Sequence, residues 1–441
     1  ICPGLIDAHV HLESPMVRPS EFARAVVPRG TTAVVCDPHE IANVLGLDGV
    51  RYILEATEGL PLGVYVMVPS CVPATHMETA GAELTAADIG ELWAHDRVLG
   101  LAEMMNFPGV VHRVPSVLER IRIAGDRPID GHAPGLSGLD LNAYIAAGVR
   151  SDHECTDLDE AREKLRRGMH ILIREGTTER NLDALLPLVT AANAQRCHFC
   201  TDDRHPDTLL REGHIGEVVR RAISFGLDPL TAIQMASINT AEHYGLRNLG
   251  AVAPGYRADL LVLDDLETMQ VAQVYAAGEL VAEGGRFLPS TTAYRVPLHS
   301  SIHVDVPALD FTIHAGDGSA RVIGVIPEQV VTKDLRAEPT TQNGQVISDP
   351  ARDLLKIAVV ERHHGSGNVG RGLVKGVGLQ EGAIASSVAH DSHNVVVVGT
   401  NDQDMRAAVA SIVDMGGGQV AMVDGEVRAA LPLPIAGLIS D

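Results

Sequence analysis

Aromatic side chains are scarce, at 3% of the 441 residues, with a single Trp. The chain is nonetheless 45% hydrophobic and long enough to bury a large core, so that core must be filled by Ala, Val, Leu and Ile. Branched aliphatics of this kind dominate the layered interior of a (β/α)8 barrel. Basic charge is also short: 35 Lys and Arg against 57 Asp and Glu give a net charge of −22. Such a surface repels polyanions, which excludes nucleic acid and anionic membranes as partners and leaves a small neutral or cationic substrate. Six cysteines without regular spacing read as reduced thiols rather than a disulfide framework. Cys197 and Cys200 form a CxxC around His198, but no second pair completes a zinc ribbon. No apolar run reaches the roughly 20 residues of a membrane span, and nothing at the start reads as a signal peptide. A soluble, cytoplasmic protein is the expectation.

What is present is a rhythm. Short apolar runs ending in polar or ionisable residues recur at Leu5 to Glu13, Thr31 to Glu40, Leu62 to Val72, Val98 to Asn106, Pro128 to Pro134, Gly148 to Cys155, His170 to Thr177 and Cys197 to Asp203. Helix signals lie between them, such as the Thr156-Asp157-Leu158-Asp159-Glu160 start. Eight strands alternating with helices predict parallel βαβ units closed into a (β/α)8 TIM barrel over residues 1–245, with a last helix over Pro229 to Tyr244. From Gly245 the chain turns to Gly-punctuated short strands, including a buried strand at Leu260 to Leu263 and a hairpin over Tyr275 to Gly285, which predict a small β-sandwich-like domain over 246–300. A further α+β domain is expected over 301–441, with strands near Val322 to Ile326 and Asp353 to Glu361 and a Gly-rich tract from Gly365 to Gly378.

His9-Val10-His11 ends the first expected strand, at the end of a barrel where active sites assemble. Residues two apart on a strand face the same way, so both imidazoles can point at one metal. Alone, the pair reads equally as two buried structural histidines. Glu103, His132, His153 and Asp202 then follow the fourth, fifth, sixth and eighth strands. Burying so many ionisable groups without pairing or a metal would cost several kcal/mol each. Four imidazoles and two carboxylates suit one or two borderline divalent ions, manganese, iron or zinc, and six ligands exceed what one open catalytic ion needs.

Pro3-Gly4-Leu5-Ile6-Asp7-Ala8-His9-Val10-His11 followed by Glu13 resembles the first-strand signature of the amidohydrolase superfamily. Ala236-Ser237-Ile238-Asn239-Thr240-Ala241 and Gly255-Tyr256-Arg257-Ala258-Asp259-Leu260 are similar to its post-barrel helix and returning strand. Asp37-Pro38-His39-Glu40-Ile41-Ala42-Asn43-Val44, Leu101 to Asn106, Asp130 to Pro134, Ser151 to Glu154 and Ala389-His390-Asp391-Ser392-His393-Asn394 resemble bacterial adenine deaminases in particular. In many binuclear barrels of the superfamily a carbamylated lysine bridges the ions. Here the only lysine between Ile1 and Gly250 is Lys164, in an expected helix, so the bridge falls to Glu103. Members draw strands for the small β-sandwich from a segment ahead of Ile1, so partner strands are expected to be missing from this chain.

The resemblance implies hydrolysis of adenine to hypoxanthine and ammonia by a metal-activated hydroxide at a binuclear site, with Mn2+ or Fe2+ as the ions and Zn2+ as the alternative. Its ligands would be His9, His11, Glu103, His132, His153 and Asp202. Asp202 would shuttle the proton of water, and Glu154 would protonate the ring nitrogen. Glu40, Arg174, His205, His390 and Asp391 are candidates for recognising the base, the last two in a region that would close over it. A homodimer acting on a purine base and water is implied. The competing readings are an amidohydrolase of cyclic amides or N-acyl groups, and a barrel turned scaffold, whose mark would be broken ligands.

Overall fold

In the computed structural model, residues 1–291, 294, 300–327 and 331–440 are described. Contacts divide the chain into two units: Ile1–Ala42, Leu47–Thr75 and Leu84–Arg295 make the first, and Asn43–Gly46, His76–Glu83 and Val296–Asp441 the second. The domain boundary expected at residue 300 borders 295–299, which lie outside the described residues.

The first unit carries eight strands separated by helices: β1 Leu5–Val10, β2 Thr31–Cys36, β3 Gly63–Val68, β4 Val98–Met104, β5 Ile129–Gly131, β6 Ser151–Asp152, β7 His170–Arg174 and β8 Cys197–Cys200. β1 to β5 form one sheet in sequence order and β6 to β8 another, every pair parallel. Arg150 N–H donates to Ile129 O at 3.1 Å beside the β5–β6 gap, and Asp202 N–H donates to His9 O at 3.0 Å after β8. The unit is a TIM-like α/β fold. Parallel strands covered on both sides are near-continuous apolar runs, and β1 and β2 are buried at every position. Ile6, Ala8, Ala33, Val35, Met67, Ala102, Leu172 and Cys200 share one core, the aliphatic filling that the shortage of aromatics calls for. Gly131 is needed because a Cβ there would collide with the carbonyl of Ser151, at the place where β5 meets β6.

All eight expected strands are present, but each ends earlier than the polar residues that follow suggest. The expected helix over Pro229 to Tyr244 is two, Pro229–Met235 and Ile238–His243, broken where Ser237 adopts φ −146° and ψ −97°. An antiparallel sheet, ordered Cys2–Pro3, Leu260–Asp265, Gln270–Ala276, Glu279–Glu283 and Arg286–Phe287, completes this unit. The residues at the start of the chain thus pair with the strand that follows the barrel-like part, Cys2 opposite Leu261.

The second unit is built on an eight-stranded sheet flanked by the helix Asp402–Asp414, whose Asn401 side chain accepts from Asp404 N–H at the cap. Met405, Ala408, Val409 and Ile412 of that helix pack with Val395, Val397, Val420 and Met422 of the sheet. The Gly-rich tract contains a regular strand, Val369–Lys375, since Gly370 and Gly372 lie within its ladder opposite Val359 and Ile357.

Candidate metal centre

Each of the six expected ligands reaches the same place from the carboxyl end of a strand. His9 lies within β1 and His11 one residue beyond it, yet both point the same way, with their Nε2 atoms 3.2 Å apart. His11 Nδ1 faces the carbonyl of Asp37 at 2.8 Å, which fixes the ring and turns Nε2 toward the centre. Glu103 sits inside β4, and its two oxygens divide the imidazoles. Oε1 faces His11 at 3.4 Å and His9 at 3.6 Å, whereas Oε2 faces His153 at 3.2 Å and contacts His132 Nδ1. His132 and His153 each stand one residue past the end of their strand.

Asp202 lies two residues past β8 with φ +55°, a left-handed conformation unusual for a non-glycine residue. It is therefore aimed inward by a bend, not by strand alternation. Its Oδ1 is 2.9 Å from His11 Nε2, and its Oδ2 accepts from Arg174 at 2.7 Å. The neighbouring Asp203 accepts from the hydroxyl of Ser14. The side chains of His9, His11, Glu103, His153 and Asp202 are at most 5% exposed, while His132 is 28% exposed and marks the open side.

Burial raises the pKa of Glu103, but the His132 and His153 imidazoles beside it hold it well below the usual carboxylate range. Asp202 is likewise held well below that range, against burial, by His11, His9 and Arg174. Burial would lower His153, yet Glu103 draws it up to about 9.

Arg174, expected among the base contacts, instead spans two acids: its guanidinium donates to Glu154 and to Asp202. Glu154 Oε1 is 3.6 Å from His153 Nε2 and 3.9 Å from His132 Nδ1. Glu40 is buried 3.3 Å from His39. His205 precedes the helix Pro206–Arg211, half-buried, with its backbone N–H bonded to Thr177. His390 and Asp391 belong to the second unit, where His390 packs against His393. One participant was not singled out from sequence. His39 brings Nδ1 to 3.3 Å from Glu103 Oε1 and to 3.1 Å from Asp37, and the motif Asp37-Pro38-His39-Glu40 after β2 is the signal that carried it.

Residues 1–281 match the Amidohydrolase family, and residues 329–441 match the adenine deaminase C-terminal domain. The adenine deaminase of Desulfatibacillum aliphaticivorans is 57% identical over 444 residues, covering 100% of this chain and 78% of that protein. That of Dehalococcoides mccartyi is 53% identical over 443 residues, covering 100% of the chain and 77% of that protein. The chain belongs to the adenine deaminase family. The adenine deaminase of Methanothrix thermoacetophila, 53% identical over 445 residues, spans the chain equally, with 78% of its own length covered. The amidohydrolase family implies divalent ions, and the donor set fits them. Imidazole nitrogens and carboxylate oxygens converge in three overlapping buried groups, each with its atoms within 4.8 Å of one another, and no thiolate takes part. Lys164 is committed elsewhere, its ammonium donating to Ala133 O and pairing with Asp152 and Glu160, so a lysine bridge has no residue to form it.

Proposed function

We propose that this chain hydrolyses adenine to hypoxanthine and ammonia at two divalent ions, Mn2+ or Fe2+ with Zn2+ as the alternative. Their ligands are His9, His11, Glu103, His132, His153 and Asp202. The observation that carries the reading is Glu103, whose Oε1 faces His9, His11 and His39 while its Oε2 faces His132 and His153, so that each oxygen would serve a separate ion. The names and full-length similarity of the relatives support adenine as the substrate. When bound, the ions lower the pKa of a water ligand toward neutrality and neutralise developing charge.

The residues of the chain supply the rest. Asp202, ionised in the folded protein, accepts the proton of the attacking water and passes it to the departing amine. Arg174 fixes its outer oxygen, so Arg174 acts as a positioning residue. Glu154, held by the same guanidinium, delivers a proton to the ring nitrogen as water attacks C6. A C–O bond forms at C6, the C–N bond breaks as the amine takes the proton carried by Asp202, and the C6 hydroxyl returns a proton to Glu154, leaving hypoxanthine with its ring N–H. Glu40 and His205 are assigned to recognition of the base.

In the same reading, β1 to β8 close into a (β/α)8 barrel over residues 1–245, followed by a small β domain over 246–300 and a C-terminal domain over 301–441. The bond between Asp202 and His9 supports closure. The enzyme acts as a cytoplasmic homodimer. No described helix is long and apolar enough to cross a membrane.

The test is turnover by the metal-loaded chain, read as ammonia release from adenine, other aminopurines and cytosine and as product formation by chromatography from dihydropyrimidines and N-acyl compounds. Adenine should lead the panel. Preferred turnover of a cyclic amide or N-acyl compound would replace the reading with that of another amidohydrolase.

A further inference from the structure

His170, His198 and His243 have no part in the centre described above. His170 opens β7, His198 is the second residue of β8, and His243 ends the helix Ile238–His243. Because the strands are parallel and the catalytic ligands gather at their carboxyl ends, this triad stands at the opposite, amino-terminal end. The three rings crowd together, with centroids 4.3 Å apart for His170 and His243 and 5.1 Å for each of the other pairs. One nitrogen from each lies within 4.8 Å of the others, and His170 Nδ1 is 2.8 Å from His198 Nε2.

Three imidazoles in one place need a reason, since each brings polar nitrogens out of water. Hydrogen bonding accounts for part of it: His170 meets His198, and His198 Nδ1 is 3.5 Å from the Thr240 hydroxyl. It does not account for His243. The side chain of His243 is 5% exposed, and its Nε2 is buried without a hydrogen-bond partner, with Asp130 Oδ1 at 3.6 Å. Asp130 is occupied by the hydroxyls of Ser151 at 2.6 Å and Tyr244 at 2.8 Å. Burial, followed by the neighbouring imidazoles, holds His198 well below the ordinary histidine range and His170 down to about 3. The rings of His170 and His198 are therefore neutral at physiological pH, which is the form that binds metal.

We propose that His170, His198 and His243 form a second metal site, distinct from the catalytic centre, that binds a zinc-class divalent ion through imidazole nitrogen alone. Three imidazoles without thiolate, with Asp130 turned to His243 alone, favour zinc over manganese, which prefers oxygen. His170 is half-buried, so the ion enters from that side. Once bound, it ties the starts of β7 and β8 to the helix that returns across them, a structural role.

The experiment compares the full chain with His170→Gln and His243→Gln, each stripped with a chelator, reloaded with Zn2+, gel-filtered and assayed for zinc by atomic emission. Each variant should hold one zinc fewer than the unaltered chain, with adenine turnover unchanged and with a zinc-dependent rise in unfolding temperature lost. Glu103→Gln should keep the zinc that His170→Gln loses, so an error in the catalytic-centre reading alters the total and not the difference. Equal zinc content in the unaltered chain and both histidine variants overturns the site. If circular dichroism shows the variants misfolded, the unaltered chain decides. Zn2+ should protect His170 from carbethoxylation in peptide mapping by mass spectrometry, and modification equal with and without Zn2+ overturns the proposal.

Discussion

Replacing Arg174 with Gln separates a residue that binds substrate from one that holds the acids in place. The side chain is 4% exposed and bonds two carboxylates, Glu154 and Asp202, that are themselves at most 8% exposed. Removing the cation leaves the buried Asp202 carboxylate without its counter-ion and Glu154 without its donor, and breaking a buried ion pair in this way costs about 3–5 kcal/mol. The unfolding midpoint in urea should fall accordingly. Asp202 also loses the donor that orients Oδ2, so turnover should drop by about a hundredfold to ten-thousandfold, the range of general acid-base catalysis, with KM little changed. Arg174→Lys restores the charge but loses the Nε contact with Asn181 that orients the head meeting both acids through Nη1, so it should recover stability more fully than turnover. The assays are urea unfolding followed by circular dichroism and steady-state ammonia release. An Arg174→Gln protein with unaltered stability and turnover, and only a raised KM, would refute the reasoning and make Arg174 a base contact.

Glu103→Gln should lower metal content and abolish adenine turnover, and plasma emission with an activity assay checks both; metal and turnover like those of the unaltered chain would remove its bridging role. Asp202→Asn should fold, keep much of its metal and lose about a thousandfold or more in turnover, because the proton carrier and a ligand change together. Asp203→Asn, which alters the contact with Ser14, should be much milder, and reversed severities would mean the two aspartates are assigned the wrong way round. In the second unit, burial and the adjacent Arg362 hold His363 down at about 4, against an ordinary value of 6.5. Its contribution to stability is whole above pH 6.5 and is lost as pH falls through about 4, so His363→Gln should flatten the pH dependence of thermal unfolding across that window. An unchanged slope would assign the acid sensitivity to other groups.

The eight strands were legible because short apolar runs recur between helix signals, as parallel strands buried on both faces require, even though Asp7 and His9 interrupt β1. Their ends were not legible. Polar residues such as His132, His153 and Asp202 continue the buried pattern beyond the last ladder hydrogen bond, so pattern alone carries each strand too far. Asp202 shows the limit most clearly, since its inward aim rests on φ +55° and not on strand parity. The six residues that converge could be named because each lies near or just beyond the carboxyl end of a strand, which is a local property. The partners of Arg174 could not, because Glu154 and Asp202 follow different strands and meet it only across the fold. His39 escaped for a related reason: it starts the helix His39–Leu45, and only the folded turn brings its ring to Glu103. In the second unit, the tract from Gly365 to Gly378 was noted only as Gly-rich, yet Gly370 and Gly372 sit in regular pairing within Val369–Lys375.

The central claim is that water replaces the amino group of adenine at this centre. It is tested by incubating the manganese-loaded chain with adenine in heavy-oxygen water and following hypoxanthine by mass spectrometry alongside ammonia. Hypoxanthine should carry the solvent oxygen at C6, appear one-for-one with ammonia, cease when a chelator removes the ions and return when manganese is restored. A fully loaded, folded chain that leaves adenine unchanged, or continues at full rate after its ions are removed, would contradict the account.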